Sequence, residues 1–274
     1  MLRPEIALCT ALALALLSGP APGEEPPEAG DSLRVESPGA DEQGRGSEQA
    51  GLDDDPFEPF NRVMFDVNMK FDEHLLEPAA RGWDFVLPRA VQRSIGNFYD
   101  NLLFPIHIIN NLLQGDLDPA AITLTRFAVN TTVGLAGLFD PATSLGLPMQ
   151  RADFGQTLGK WGTPSGPYLV LPVWGSSNIR DSAGLFVDGY LGIQTFFIDF
   201  PILIGSTAIN SLNRRALNLD TVASIRSASI DLYAAARNAY NQQRMEAIYG
   251  IEATRLERDA DLYYIDFEEE EELP

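Results

Sequence analysis

The chain reads as a mostly α-helical protein with one Gly/Pro-rich loop and at most short strands. Apolar residues recur at spacings of three and four through most of the middle of its 274 residues, the signature of helices with one buried face. Prolines follow acidic residues where helices would begin. A single stretch departs from this, with glycines at 155, 159, 162, 166 and 175 and prolines at 164, 167 and 172. Hydrophobic residues make up 45% of the chain, enough for a sizeable core and too many for wholesale disorder.

The elements follow in order. Arg3, the apolar run Ile6–Leu17 and the small residues Ala21-Pro22-Gly23 form an export signal over 1–23. Twelve residues reach only about 18 Å as a helix, short of a bilayer core of roughly 30 Å. Cys9, the one cysteine, falls inside that signal, so no intramolecular disulfide is expected. Residues 24–54, rich in Glu, Asp, Pro, Gly and Ser, read as a disordered acidic leader. A helix starts at Glu58-Pro59. It carries Phe60, Met64, Val67, Phe71 and Leu75 on one line and Phe65, Met69 and Leu76 on another, and Pro78 should end it. So wide an apolar arc suits either a core helix or one lying partly in lipid.

Leu102 to Leu113 form a second apolar segment closed by Gly115. Asp118-Pro119 should open a third helix running toward Gly134, while Asp140-Pro141 and Asp181 open two more. Residues 155–175 read as loop, a short extended run at 168–173, then loop again. Residues 182–209 are long and apolar, but Asp188, Asp199 and Pro201 interrupt them, so no spanning helix is predicted. Residues 221–254 should form the longest amphipathic helix. The ordered region is thus 55–255, followed by an acidic tail, 256–274.

Net charge is −20 and pI about 4.3, which argues against nucleic acid as a partner. The acidity sits in the two flanks; residues 59–256 carry only −2. Catalytic chemistry finds little support. There is no H-E-x-x-H, nucleophile elbow or P-loop. The two histidines, His74 and His107, are far apart in sequence, and His107 lies in an apolar run. Lys160 is a possible base without an evident serine partner. Asp53-Asp54-Asp55 lacks the alternation of a calcium loop. Two physical readings stay open: a soluble scaffold whose apolar faces meet each other, or a protein lying in the headgroup region of one leaflet. Three tryptophans, eight tyrosines and 17 arginines against two lysines favour the second.

A series of motifs narrows this. Asp55-Pro56-Phe57-Glu58-Pro59-Phe60-Asn61-Arg62 is followed by Gln114-Gly115-Asp116, and by Thr125-Arg126-Phe127 with Asn130-Thr131 and Gly134. Asp153-Phe154-Gly155-Gln156-Thr157-Leu158-Gly159 with Trp161-Gly162 comes next, then Gly166-Pro167-Tyr168 with Leu171-Pro172, then Arg180-Asp181. This series resembles the MlaA/VacJ family of bacterial outer-membrane phospholipid-transport proteins over about residues 53–250. The resemblance implies a ring of amphipathic helices around a central channel, set in the inner leaflet of the outer membrane. Stray outer-leaflet phospholipid would enter the channel and pass to a periplasmic MlaC-like carrier, with an outer-membrane porin trimer as a further partner. No cofactor, metal or enzymatic activity is implied.

On that reading Asn61, Arg62, Asp153, Gln156, Lys160 and Arg180 are the polar groups that line or structure the passage. The competing role for each is a helix cap or a buried salt bridge. Gly155, Gly159, Gly162 and Gly166 would form a flexible loop near the pore. One departure is that the family's best-known members are lipoproteins, anchored through an acylated cysteine just after the signal, whereas no such cysteine follows the signal here. A protein at the periplasmic side of the outer membrane, held by interfacial helices, is therefore expected. The rival functions are a porin-associated structural protein that moves no lipid, and a phospholipid hydrolase.

Overall fold

The computed structural model describes residues 55–192 and 199–250. The signal, the acidic leader and the acidic tail expected from the sequence lie outside these residues, as do 251–255. Helix α1 (Glu58–Phe71) has Pro59 in its first turn, where a missing N–H costs nothing. It exposes Phe60, Val63 and Val67 and packs Met64 and Phe65 inward. Pro78 does not end the helical path. A π-helical turn (Asp72–Leu76) widens the coil, so the Glu77 N–H reaches the Asp72 carbonyl five residues back. Helix α2 (Glu77–Val86) then restarts with Pro78 in its own first turn.

Helix α3 (Arg89–Leu102) has no counterpart in the sequence reading; α4 (Phe104–Leu113) is the second apolar segment. Helix α5 (Leu117–Thr132) begins one residue before Asp118-Pro119, and its preceding residue Asp116 binds Lys160 instead of capping. Leu135, Ala136 and Gly137 then turn the chain through three successive left-handed conformations. Short α6 (Pro141–Ser144) is capped by Asp140, as the sequence predicts.

The loop expected from residue 155 is instead a helix, α7 (Phe154–Lys160), because Asp153 accepts the Gln156 N–H at 2.8 Å as its cap. The loop proper is 161–167, with Gly162 and Gly166 at positive φ. The extended run is strand β1 (Tyr168–Leu171), antiparallel to β2 (Gly175–Asn178) with Tyr168 opposite Asn178. Helix α8 (Ile179–Leu191) is capped by Asn178, which accepts the Asp181 N–H; Asp181 itself lies in the first turn.

Helix α9 (Phe200–Leu217) precedes α10 (Leu219–Ala228) and α11 (Leu232–Tyr249). These last two replace the single helix expected over 221–254. Ser229 is extended, and the Asp231 carboxylate caps a new start by accepting the Ala234 N–H at 3.1 Å.

Packing runs in a closed circuit: α1 on β1, β2 on α11, α11 on α7, α7 on α8, α8 on α4, α4 on α5, α5 on α3, α3 on α9, and α9 on α2, which returns through the π turn to α1. A compact apolar cluster, Tyr168, Val170 and Tyr233 with Phe65 edge-on at 5.7 Å, fastens the hairpin to α1 and α11. The tightest junction is α7 on α8. A Cβ on Gly184 would stand 2.5 Å from the Gly155 nitrogen and 2.9 Å from its Cα, both backbone atoms. Gly184→Ala should therefore lose about 2 kcal/mol through overpacking. Gly82→Ala on α2, whose Cβ would meet nothing within 4 Å, should gain up to about 1 kcal/mol from helix propensity. Paired denaturant unfolding curves measure both.

Candidate functional site

The molecule is inverted relative to an ordinary globule. Among the described residues, 13 hydrophobic residues are buried, five of them alanine, against 19 buried polar or charged ones. Large apolar side chains lie outside: Phe85 is 91% exposed, Val133 71%, Leu117 70% and Leu145 67%. Buried polar groups are costly unless paired, so the interior is organised by its hydrogen bonds.

Its centre lies where α4, α7, α8 and α11 meet. Arg244 donates to both Asp153 oxygens, at 2.6 and 2.9 Å, and its Nε lies 2.7 Å from Asp181 Oδ2. Asp181 also accepts from Tyr240 OH at 2.5 Å, Asn178 Nδ2 at 2.9 Å and Arg180 Nε at 3.1 Å. Asp188 accepts the Phe154 N–H and Asn110 Nδ2 at 2.8 and 2.9 Å. Asn110 Oδ1 in turn accepts from Thr157 Oγ1, and Gln114 reaches the same hydroxyl. The N-terminus of α7 thus faces two carboxylates, Asp153 and Asp188, with one guanidinium between Asp153 and Asp181.

The charges respond accordingly. Desolvation, followed by the charge of Asp153, pushes Asp188 up to about 7. Against its own desolvation, Arg244 holds Asp153 below the ordinary carboxylate range. Desolvation opposes the charge of Arg244, but Asp153 and Asp181 hold it firmly cationic. Desolvation and Asp181 keep Tyr240 neutral.

The six residues singled out in the sequence fall into two groups. Asp153, Gln156, Lys160 and Arg180 gather on α7 and the start of α8. Gln156 and Arg180 are buried, the latter also donating to Thr163 O at 3.2 Å, while Lys160 pairs with Asp116 toward the surface. Asn61 and Arg62 sit apart. Asn61, fully buried, donates to the Tyr168 carbonyl and accepts the Val170 N–H, both at 2.9 Å, standing in for a strand beside β1. Arg62 binds Glu58 and Asp231 and lies 4.5 Å over the Tyr233 ring.

Of the glycines, Gly155 and Gly159 lie in α7, where a Cβ would meet Asp181 Oδ1 at 2.5 Å and Ile248 Cδ1 at 2.6 Å. Close approach therefore explains both. The sequence reading missed Arg244, Asp188 and Asn110. A signal existed: Tyr233, Arg237, Tyr240 and Arg244 recur at spacings of four, three and four on one helical face, and an Asn-Asn pair interrupts the apolar α4.

The pH dependence of this centre has a definite sign. Asp188 binds its proton more tightly folded than unfolded, so its ionisation weakens the fold. Stability should fall as pH rises from about 4 to about 7, by a few kcal/mol. Asp153 acts oppositely; its contribution is present above the unfolded value near 4 and is lost on further acidification. Asp188→Asn should flatten the slope between pH 4 and 7, whatever its effect on absolute stability, as read from denaturation midpoints across that range.

Comparison with known proteins fits this geometry. The family described as "MlaA lipoprotein" matches residues 53–247. The intermembrane phospholipid transport system lipoprotein MlaA of Escherichia coli K12 is 34% identical over 211 residues, covering 76% of this chain and 80% of that protein. The Haemophilus influenzae protein of the same name is 33% identical over 201 residues, 72% of this chain and 80% of that one. A solved structure concerned with the "Structural basis for maintenance of bacterial outer membrane lipid asymmetry" superposes with a TM-score of 0.64 at 35% identity, over 71% of this chain and 99% of the other. With sequence and helical fold agreeing over the same residues, the chain belongs to the MlaA lipoprotein family.

Proposed function

We propose that the protein transports phospholipid without enzymatic chemistry and so maintains the lipid asymmetry of the outer membrane. The observation that carries this reading is the inversion of polarity. A closed circuit of helices with a hydrogen-bonded polar interior and an apolar exterior can rest among acyl chains and still offer a wet path to a headgroup. Among the described residues, no helix is long and apolar enough to cross a membrane. The exposed apolar side chains suit helices lying in one leaflet, each half-exposed residue contributing about 1 kcal/mol on leaving water. The names carried by the relatives support the same assignment.

In this reading phospholipid released from the outer leaflet moves along the inside of the circuit and leaves to a periplasmic carrier. An outer-membrane porin trimer holds the protein in place from outside. Gln156, Lys160 and Arg180 border the path on the α7 side, with Asp153 fixing α7. Asn61 and Arg62 set the hairpin that flanks it, and Gly162 and Gly166 supply its loop.

The reading is tested by reconstitution. Membranes washed in high salt should retain the protein, since an apolar attachment is not screened. Purified protein should carry phospholipid and pass it to the carrier. Salt release, or empty protein that transfers nothing, leaves only a porin-bound scaffold. Lys160→Ala should cost at most about 1 kcal/mol, because it removes a single ion pair near the surface, yet reduce lipid transfer severalfold. Unchanged transfer would remove Lys160 from the path.

A further inference from the structure

A second charged cluster lies away from the six residues above, where α10 meets α2 and the end of α9. Beneath α10 is a cleft of about 360 Å³, lined by Glu77, Arg215, Leu219, Ala223, Arg226 and Ser227. That volume falls in the range of roughly 300–1,000 Å³ common to small-molecule sites. The helix above it, α10, has no buried residue. What ties it to α2 and the π turn is Arg226, which donates to Asp72 Oδ2 at 2.6 Å and to Glu77 Oε2 at 3.0 Å.

The hydrogen bonds of this cluster do not close. Glu77 accepts four, two from Arg81 and one each from Arg215 and Arg226. That fills a carboxylate. Asp72 accepts three, two from Arg215 and one from Arg226, which leaves a single lone pair open on Oδ1. Arg215 Nη1 and Arg226 Nε are buried and have no partner among the described residues. Between them they carry three N–H groups. An unmet buried N–H is costly, and more so on a charged group. The last position on Asp72 cannot serve all three.

Charge, by contrast, is balanced. Arg215 and Arg226 face Asp72 and Glu77. Of the more exposed members, Arg81 is offset by Glu73, which lies 3.8 Å from Arg226. The cleft is therefore short of acceptors but not of negative charge. What suits it is a group rich in acceptor oxygens on a molecule with no net charge. Leu219 and Ala223 give the same cleft an apolar wall.

We propose that the cleft beneath α10 binds the phosphodiester of a zwitterionic phospholipid, with Arg215 Nη1 and Arg226 Nε donating to its unesterified oxygens. This rests on the phospholipid-transport reading above and gives the lipid a headgroup station at the junction of α2, α9 and α10. A phosphodiester offers several lone pairs on two oxygens, the arrangement that guanidinium N–H groups match. The headgroup's own cation cancels the phosphate charge, so the balance of the cluster survives. Leu219 and Ala223 meet the glycerol and the first acyl methylenes. Inorganic phosphate has the same oxygens but no apolar part, and its charge is uncancelled.

The test purifies the full chain in phosphate-free maltoside detergent and offers it equal amounts of phosphatidylcholine and diacylglycerol with identical acyl chains, then identifies the lipid retained. The phospholipid should be enriched about tenfold, the worth of one hydrogen bond to a charged group. Ala223→Glu brings a carboxylate to the cleft from an exposed position of α10. It should fold like the wild type, as read from denaturation midpoints, and bring the ratio to within about twofold of parity. Arg226→Lys keeps the charge but loses the planar fork, and should shift the ratio the same way. Equal retention of the two lipids by the wild type, or a ratio that Ala223→Glu leaves unchanged, would overturn the site and leave transport standing. Displacement of the phospholipid by equimolar inorganic phosphate would overturn the lipid as occupant and assign the cleft to free phosphate. Retention of neither lipid would overturn the transport reading, and the site with it.

Discussion

Arg244 is the residue on which the interior turns. Its guanidinium lies between the carboxylate that caps α7 and the carboxylate in the first turn of α8, and it does so from α11. Three helices distant in sequence are thereby fixed to one charge. Two carboxylates in so crowded a place would each carry a large desolvation cost without a cation between them. The same logic extends outward: Tyr240, Asn178 and Arg180 complete Asp181, and Asn110 and the α7 backbone complete Asp188. The centre of the molecule is held by complementarity of charge and hydrogen bond, where most domains use apolar packing.

That choice explains the rest of the architecture. A polar interior needs donors and acceptors at short range, so backbones must come close, and Gly155, Gly159 and Gly184 allow α7 and α8 to touch. It also frees the apolar side chains to face outward. Water is a poor neighbour for a surface carrying Phe60, Phe85, Leu117 and Ile202, whereas acyl chains accept it. Apolar exterior and polar interior are two consequences of one arrangement.

A second charged junction closes the circuit. The π turn places Asp72, and α2 places Glu77, so that Arg215 of α9 and Arg226 of α10 converge on both. Arg215 reaches Asp72 at 2.7 Å, Arg226 reaches it at 2.6 Å, and Glu77 lies 3.0 Å from Arg226. Glu77 is held below the usual carboxylate range by the Arg81 hydrogen bond, against desolvation and with help from Arg215 and Arg226. The widened turn thus has a tertiary purpose beyond admitting Pro78.

The helical class, the Asp140-Pro141 start, the short strand at 168–171 and the wide apolar arc of α1 were all legible in the chain. They depend on local periodicity, caps and turn residues, which act within a few positions. The motif series also marked the α7–α8 region, because caps and close-approach glycines leave compact local patterns. Other features were not legible. The helix running through Pro78, the break at Ser229–Asp231 and the gathering of Asn110, Asp188 and Arg244 depend on partners 78 or more residues away. Asp116 and Asp231 show why. Each directly precedes a helix, yet Lys160 holds the first away from capping, while the second caps α11 and binds Arg62 as well. Residue types determined which groups had to be paired; only the closed packing of the helices decided with whom, because pairing energy is gained across space and not along the chain.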